Sequence, residues 1–234
     1  MKSDMIANVL KKPLVGIRTI LNDLCMSYDR QRYGTAEFVI IANNCWGGQI
    51  YQRLNKSYNT PFIGLFIFAP DYLKLLQRFD HYMALELTFD SASRWTGEPT
   101  RYPLGKLGEL EIHFMHYADA EEATSKWKRR LARMNAVQDR SRYFFKIDDR
   151  DLGTAEIISS FHELPFEHKI SFGVDELPLK DHVRLIEHPG DLSVPDGVIL
   201  YKRAFRQVDL LGWIRTGQIR GNLYSRLKAV AGVA

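Results

Sequence analysis

Asn43-Asn44-Cys45-Trp46-Gly47-Gly48 combines two carboxamides, a thiol, an indole and two glycines in unbroken succession. It follows Phe38-Val39-Ile40-Ile41-Ala42, a continuous apolar run of the kind found in strands buried on both faces. Polar groups at the end of such a strand suit a ligand-facing loop. Gly47 and Gly48 would let backbone N–H groups approach an anion at the start of the next helix. Asn43 and Asn44 suit orienting a sugar hydroxyl or stabilising an oxyanion. Cys45 suits a nucleophile if a base lowers its pKa, and equally a buried thiol with no chemical role. The segment matches neither G-x-G-x-x-G nor G-x-x-x-x-G-K-[ST], so neither a dinucleotide fingerprint nor a P-loop is supported.

Three other constellations carry chemistry. Glu111-Ile112-His113-Phe114-Met115-His116-Tyr117 alternates as a strand does, which sends His113 and His116 to opposite faces and keeps them off one metal. One of them can face a cleft as a general base, and His116, nearer the strand's end, is the better candidate. Asp149 and Asp151 form a D-x-D spacing after the strand expected at Tyr143–Ile147, suited to a divalent cation that neutralises a diphosphate, or to a solvated turn that caps a helix. Lys126, Lys128, Arg129, Arg130 and Arg133 crowd one helix; they suit phosphates or lipid headgroups, and also the solvated end of a helix whose dipole they complement. Trp46, Trp95 and Tyr102 are the aromatic side chains available to stack on sugar rings.

These residues need a scaffold, and the 234-residue chain is long enough for one. Its 45% hydrophobic and 26% charged residues are ordinary for a globular protein with a real core. A net charge of +4 permits an anionic substrate or membrane surface without demanding nucleic acid, and no RNA-recognition or helix-turn-helix signature is present. Cys25 and Cys45 make no disulfide framework and no zinc spacing, which suits a reducing cytoplasm. No apolar run is long enough to span a bilayer, and the start of the chain lacks the apolar core of a secretory signal. The expected location is cytoplasmic, with room for peripheral contact at the inner membrane face.

The element pattern is α/β. Residues 14–31 read as a helix packed on the domain edge, so that 1–34 form a helical extension and 35–234 a single domain. Strands are expected at 38–42, 62–68, 84–89, 109–117, 143–147, 169–172, 183–187 and 198–201. Helices are expected at 49–54, 72–79, 120–134, 153–161 and 207–215, with 91–108 as a long loop. In the helix from Ala120, Asp119 can cap the start, and Ala123, Trp127, Leu131 and Met134 form the buried stripe. Alternating apolar strands and helices predict a three-layer α/β/α architecture with a mostly parallel central sheet. Ligands bind such sheets beyond the carboxyl ends of the strands, so the residues after Ala42, after Ile147 and near Tyr117 should converge on one cleft.

Taken together, Ile41–Gly48, Pro61–Phe66, Asp71-Tyr72, Tyr102–Gly105, Glu111–Tyr117, Glu121–Arg130 and Asp149–Asp151 give the chain its resemblance to a known family. The chain resembles the bacterial domain-of-unknown-function family 1919, often associated with exopolysaccharide biosynthesis. The pieces recur in family order across about residues 38–215; Ala42 stands where a serine would be expected. The resemblance implies a role in building or decorating surface polysaccharide, with a carbohydrate or lipid-linked saccharide as partner. Asn44-Cys45 is also similar to a Gly-Asn-Cys-Gln segment in some polysaccharide acyltransferases that bind coenzyme A. The leading expectation is therefore a transferase, with acyl transfer from acyl-coenzyme A to a sugar hydroxyl favoured. Cys45, His116 and His113 are its candidate catalytic residues, and Asn43, Asn44, Trp46, Gly47, Gly48, Tyr102 and Arg130 its candidate substrate contacts. The alternatives are a glycosyl- or phosphosugar transferase using a sugar nucleotide with a divalent metal on Asp149 and Asp151, and a non-catalytic carbohydrate-binding or assembly protein.

Overall fold

Val39–Ala42 forms β1, and its side chains divide between two cores: Val39 and Ile41 join one apolar cluster, Ile40 and Ala42 the other. The same alternation places Tyr143, Phe145 and Ile147 of β5 (Tyr143–Asp148) in the first cluster and Phe144 in the second. β1 pairs in parallel with β5, β5 with β6 (His168–Gly173), and β6 with β7 (His182–Arg184), giving the order β1-β5-β6-β7. A sheet covered on both faces by helices needs strands that are apolar on both faces, and β1 and β5 supply them. The computed structural model describes residues 19–186, 188 and 190–221.

Helices α3 (Ala69–Gln77), α4 (Phe79–Ala84), α5 (Ala120–Ala136) and α6 (Ala155–Glu163) bury their apolar faces in the first cluster. Helices α2 (Trp46–Arg53), α7 (Gly197–Gln207) and α8 (Leu210–Thr216) do so in the second. The result is a three-layer α/β/α protein. A second, antiparallel sheet of β2 (Thr88–Ala92), β3 (Pro99–Leu107) and β4 (Leu110–His113) packs beside it. The antiparallel sheet is tied to the segment 62–68 by Phe66 and His113, which exchange backbone hydrogen bonds of 3.0 and 2.9 Å, and that segment in turn bonds the end of β1 through Ile67 N and Asn43 O.

Helix α1 covers residues 19–33. Its second half docks on the domain through Tyr33 in the second cluster and through Asp29, fully buried, which accepts a 2.6 Å bond from Arg53. Ile20 and Leu24, apolar side chains in the stretch expected to pack on the domain edge, are exposed. Residues 1–18 of the expected extension lie outside the described residues.

Several expected elements come out differently. Residues 62–68 are irregular, with Phe62, Ile63, Leu65 and Ile67 buried: Gly64 has φ +75°, and the Ile67 amide donates to Asn43 O at 2.8 Å instead of entering a ladder. The stretch 91–108 is mostly strand. A tight turn at 93–98, with Gly97 at φ +73°, and another at Gly108, with φ +60°, fold it into hairpins; turn glycines mimicked a loop. The strand expected at 84–89 starts later, as β2, because α4 runs to Ala84. The strand expected at 198–201 is the start of α7, where the Asp196 carboxylate caps the amides of Val198 and Ile199 at 3.0 and 3.2 Å. The strand expected at 183–187 is β7, which ends at Arg184; Glu187 lies outside the described residues.

A candidate active site at the carboxyl edge of the parallel sheet

The loops after β1 and β5 meet over a buried polar quartet. Lys146 and Asp148 point to the same side of β5, two residues apart, and both are fully buried. The Lys146 ammonium bonds the Asp148 carboxylate and donates to Asn43 Oδ1 and Asn44 Oδ1, each at 3.1 Å. The carboxamides return the contact, Asn43 Nδ2 donating to Asp148 Oδ1 at 3.1 Å and Asn44 Nδ2 to Oδ2 at 2.7 Å. Burial pulls the lysine pKa down, and the Asp148 charge opposes the shift. Every lysine proton thus has an acceptor, as a buried charge requires. The quartet fixes the loop that follows, because Asn44 Oδ1 also accepts the Trp46 amide at the head of α2, at 3.3 Å.

The start of α7 is pressed against the same point. A Cβ on Gly197 would lie 2.6 Å from Trp46 N and 2.9 Å from Asn44 Oδ1, so only glycine lets the two helix ends approach this closely.

Above the quartet lies a cleft of two lobes. One, of about 260 Å³, is lined by Gly48, Gln49 and Gln52 of α2, by Tyr58, and by Tyr117, Lys126 and Arg130. The other, of about 360 Å³, is lined by Asn44, Phe66, Met115, Arg150, Asp151 and Asp196. Cys45, His116 and Val198 border both. The strand ends after Ala42 and Ile147 and the turn before Tyr117 do converge.

A turn separates the two histidines. β4 stops at His113, and residues 115–116 turn back toward Gly64, whose carbonyl accepts the His116 amide at 3.2 Å. His116 is left exposed at the junction of the lobes. His113 is buried, stacked on Phe66 with ring centroids 4.4 Å apart, and its Nδ1 lies 3.2 Å from the Tyr102 hydroxyl. Burial lowers its pKa to about 4, against an opposing pull from Glu111, so it is a neutral packing residue away from the cleft.

Cys45 sits at the junction as a neutral thiol. Its Sγ donates to Leu65 O at 3.6 Å; burial first and the Asp196 charge second raise its pKa, outweighing Lys146. Nothing there produces the thiolate that a nucleophile needs.

Other expected contacts leave the cleft altogether. The Trp46 indole is fully buried against Phe172, Tyr201 and Trp213, so it cannot stack on a sugar. Gly47 faces β1, where a Cβ would lie 2.8 Å from Ile40, and Asn43 is spent within the quartet. Tyr102 borders a separate groove beside Pro103 and Asp119. Trp95 donates its indole N–H to buried Asp71 at 3.1 Å.

The two acidic residues also part. Both Asp149 oxygens are taken, accepting the amides of Val174 at 2.7 Å and Val194 at 2.8 Å, which ties the loops after β6 and before α7 to β5. Asp151 alone reaches the cleft. It and Leu152 hold left-handed backbone, φ 54° and 68°, costly for non-glycine residues and usual near functional sites. Burial and Asp148 raise its pKa. Among the described residues no group of three His, Cys, Asp or Glu side chains could hold a metal ion.

In the sequence the one signal of Lys146 and Asp148 is a lysine within an otherwise apolar strand, and its carboxamide partners lie about a hundred residues away.

The fold and the cleft define a three-layer α/β protein with a ligand-sized pocket beyond the carboxyl ends of its parallel strands. The chain belongs to the family described as domain of unknown function DUF1919, whose model matches residues 18–215. It is 38% identical over 133 residues to an uncharacterized protein of Haemophilus influenzae, a match covering 57% of this chain and 60% of that relative. Among the described residues no helix is long and apolar enough to cross a membrane.

Proposed function

We propose that the protein is a transferase of bacterial surface-polysaccharide synthesis that moves an acyl group from acyl-coenzyme A to a sugar hydroxyl. The observation that carries this reading is His116, exposed where a cationic lobe meets a carboxylate-bearing one. Donor and acceptor would enter from opposite sides and meet at its imidazole. The acceptor sugar, or its lipid-linked form, would lie between Asp151 and Asp196, whose carboxylates accept hydrogen bonds from hydroxyls, while Asn44 is held in the quartet below. His116 takes the hydroxyl proton as the oxygen attacks the thioester carbonyl. The positive end of α2 stabilises charge on the acyl oxygen, the C–S bond breaks, and the proton passes to the departing thiolate. The neutral thiol of Cys45 favours this direct attack over an acyl-cysteine intermediate.

The reading places the work in the cytoplasm, where acyl-coenzyme A is found. Ile20 and Leu24 on α1 are the apolar side chains that would support peripheral contact with the inner membrane face.

Asp151 favours a second reading, glycosyl- or phosphosugar transfer from a sugar nucleotide. With Asp149 held by backbone amides, that reaction would run without a D-x-D metal clamp or with a cation delivered by the substrate.

The test is complementation. In cells lacking the gene, wild-type protein should restore the acyl content of the polymer and His116→Ala should not. Full restoration by His116→Ala, at equal protein level, overturns the proposal. Acyl-coenzyme A should raise the melting temperature of the purified protein; a rise only with sugar nucleotides turns the reading to glycosyl transfer.

A further inference from the structure

Arg130 is only 8% exposed, yet no carboxylate pairs with it among the described residues. It occupies the buried face of α5 with Ala123, Trp127 and Met134, where the apolar spacing predicts a hydrophobic side chain at Leu131 instead. Its Nη1 donates to the Tyr117 hydroxyl at 2.5 Å and to Ile63 O at 3.3 Å, and its guanidinium lies over the Tyr58 ring at 5.0 Å. The Tyr117 hydroxyl in turn donates to Ile63 O at 2.5 Å. The fork is therefore held from one nitrogen and one face, and Arg130 lines the 260 Å³ lobe. A buried guanidinium without a counter-charge is costly to a fold, and an anion entering from solvent relieves that cost.

Two further features of the same lobe point the same way. Lys126, one turn before Arg130, lines it and is tethered by Glu122, an exposed partner that a stronger anion can displace. Across the lobe stands α2, whose first turn holds no acidic residue and whose cap residue Cys45 makes no side-chain bond to it; Asn44 Oδ1 takes only the Trp46 amide, so no carboxylate offsets the positive end of the dipole from within the helix. Gly48 lines the lobe there without a side chain of its own.

We infer that this lobe is a phosphate site, with Arg130 as its fixed fork and Lys126 as its movable charge, and that the donor carries a diphosphate. A planar guanidinium sharing one lobe with a lysine and with the first turn of α2 suits the paired oxygens of a phosphoryl group. The inference rests on the transferase reading for the word donor, but the site stands on its own residues. It is independent of whether the group moved is acyl or glycosyl, since coenzyme A and sugar nucleotides both carry a diphosphate.

Inorganic pyrophosphate is the probe, measured by titration calorimetry on the purified chain without divalent metal. Saturable binding that weakens with added salt is expected. Arg130→Gln should weaken it at least tenfold. Because Arg130 is buried, Gly48→Glu is the companion variant. A Cβ at Gly48 meets only Ile63, at 3.7 Å, and a carboxylate in the first turn favours the helix while repelling an anion. It should stay folded and also lose pyrophosphate. Absence of saturable binding by the wild type, or binding unchanged in Gly48→Glu, overturns the inference. If pyrophosphate binds as described while His116→Ala restores the polymer fully, the phosphate site stands and the transferase reading falls. If His116→Ala fails to restore it and pyrophosphate does not bind, the site falls and the transferase reading stands.

Discussion

Lys146 and Asp148 form an ion pair with no solvent exposure on either side chain, two residues apart on the central strand that bears the cleft. It is closed by Asn43 and Asn44 from the neighbouring strand's end, so the pair is also the joint between β1 and β5 at the candidate site.

Removing one member should therefore cost far more than a surface ion pair. Lys146→Ala leaves Asp148 charged, buried and short of a partner, and should lower unfolding free energy by about 3–5 kcal/mol. Urea denaturation followed by fluorescence checks it. A loss below about 1 kcal/mol, the range of exposed pairs, would mean that water reaches the quartet.

His113 predicts an acid-side loss of stability. Its pKa in the folded chain is about 4 against an ordinary 6.5, because burial penalises the cation. The unfolded chain then binds more protons between those values, so this contribution is complete above pH 6.5 and fades as pH falls toward 4. His162, also held near 4 by burial and by Lys169, adds to the same slope. The urea midpoint should drop across that window, and His113→Phe should remove about half of the drop, if the two histidines contribute alike. An unchanged slope in the variant would show that His113 is not the group titrating.

Cys45 should react slowly with iodoacetamide at neutral pH, since the thiolate is the reactive form and burial with Asp196 suppresses it. Asp196→Asn keeps an oxygen to cap α7 but removes the charge, so alkylation of Cys45 should become faster at the same pH. Peptide mass mapping separates Cys45 from Cys25. Equal rates in the two proteins would show that Asp196 does not govern the thiol.

Much of the frame could be read from residue order. β1 is apolar without interruption and β5 is apolar but for Lys146 and its terminal Asp148, which is what burial on both faces demands. Helix α5 begins where Asp119 caps it, through a 2.8 Å bond from the Glu122 amide, and carries its acids first and bases last. From such signals followed the three layers, the parallel sheet and the edge on which a ligand loop would lie. Local patterns misled where a turn intervened. Gly97 and Gly108 read as loop although they close hairpins, and alternation through 109–117 hid the turn that breaks it after His113.

What residue order determined by itself was the elements whose burial follows from their own periodicity, together with the place of Cys45 and His116 near one sheet edge. What only tertiary structure decided was which polar side chains face inward together. Trp46 went to the core and Asp149 to backbone amides. Arg130 took a buried position with no carboxylate ion-paired to it among the described residues, and Lys146 with Asp148 became the joint under the cleft. The physical reason is the same in each case. A buried polar group is stable only with partners, and those partners come from segments distant in sequence, so the choice is made when the strands and helices pack.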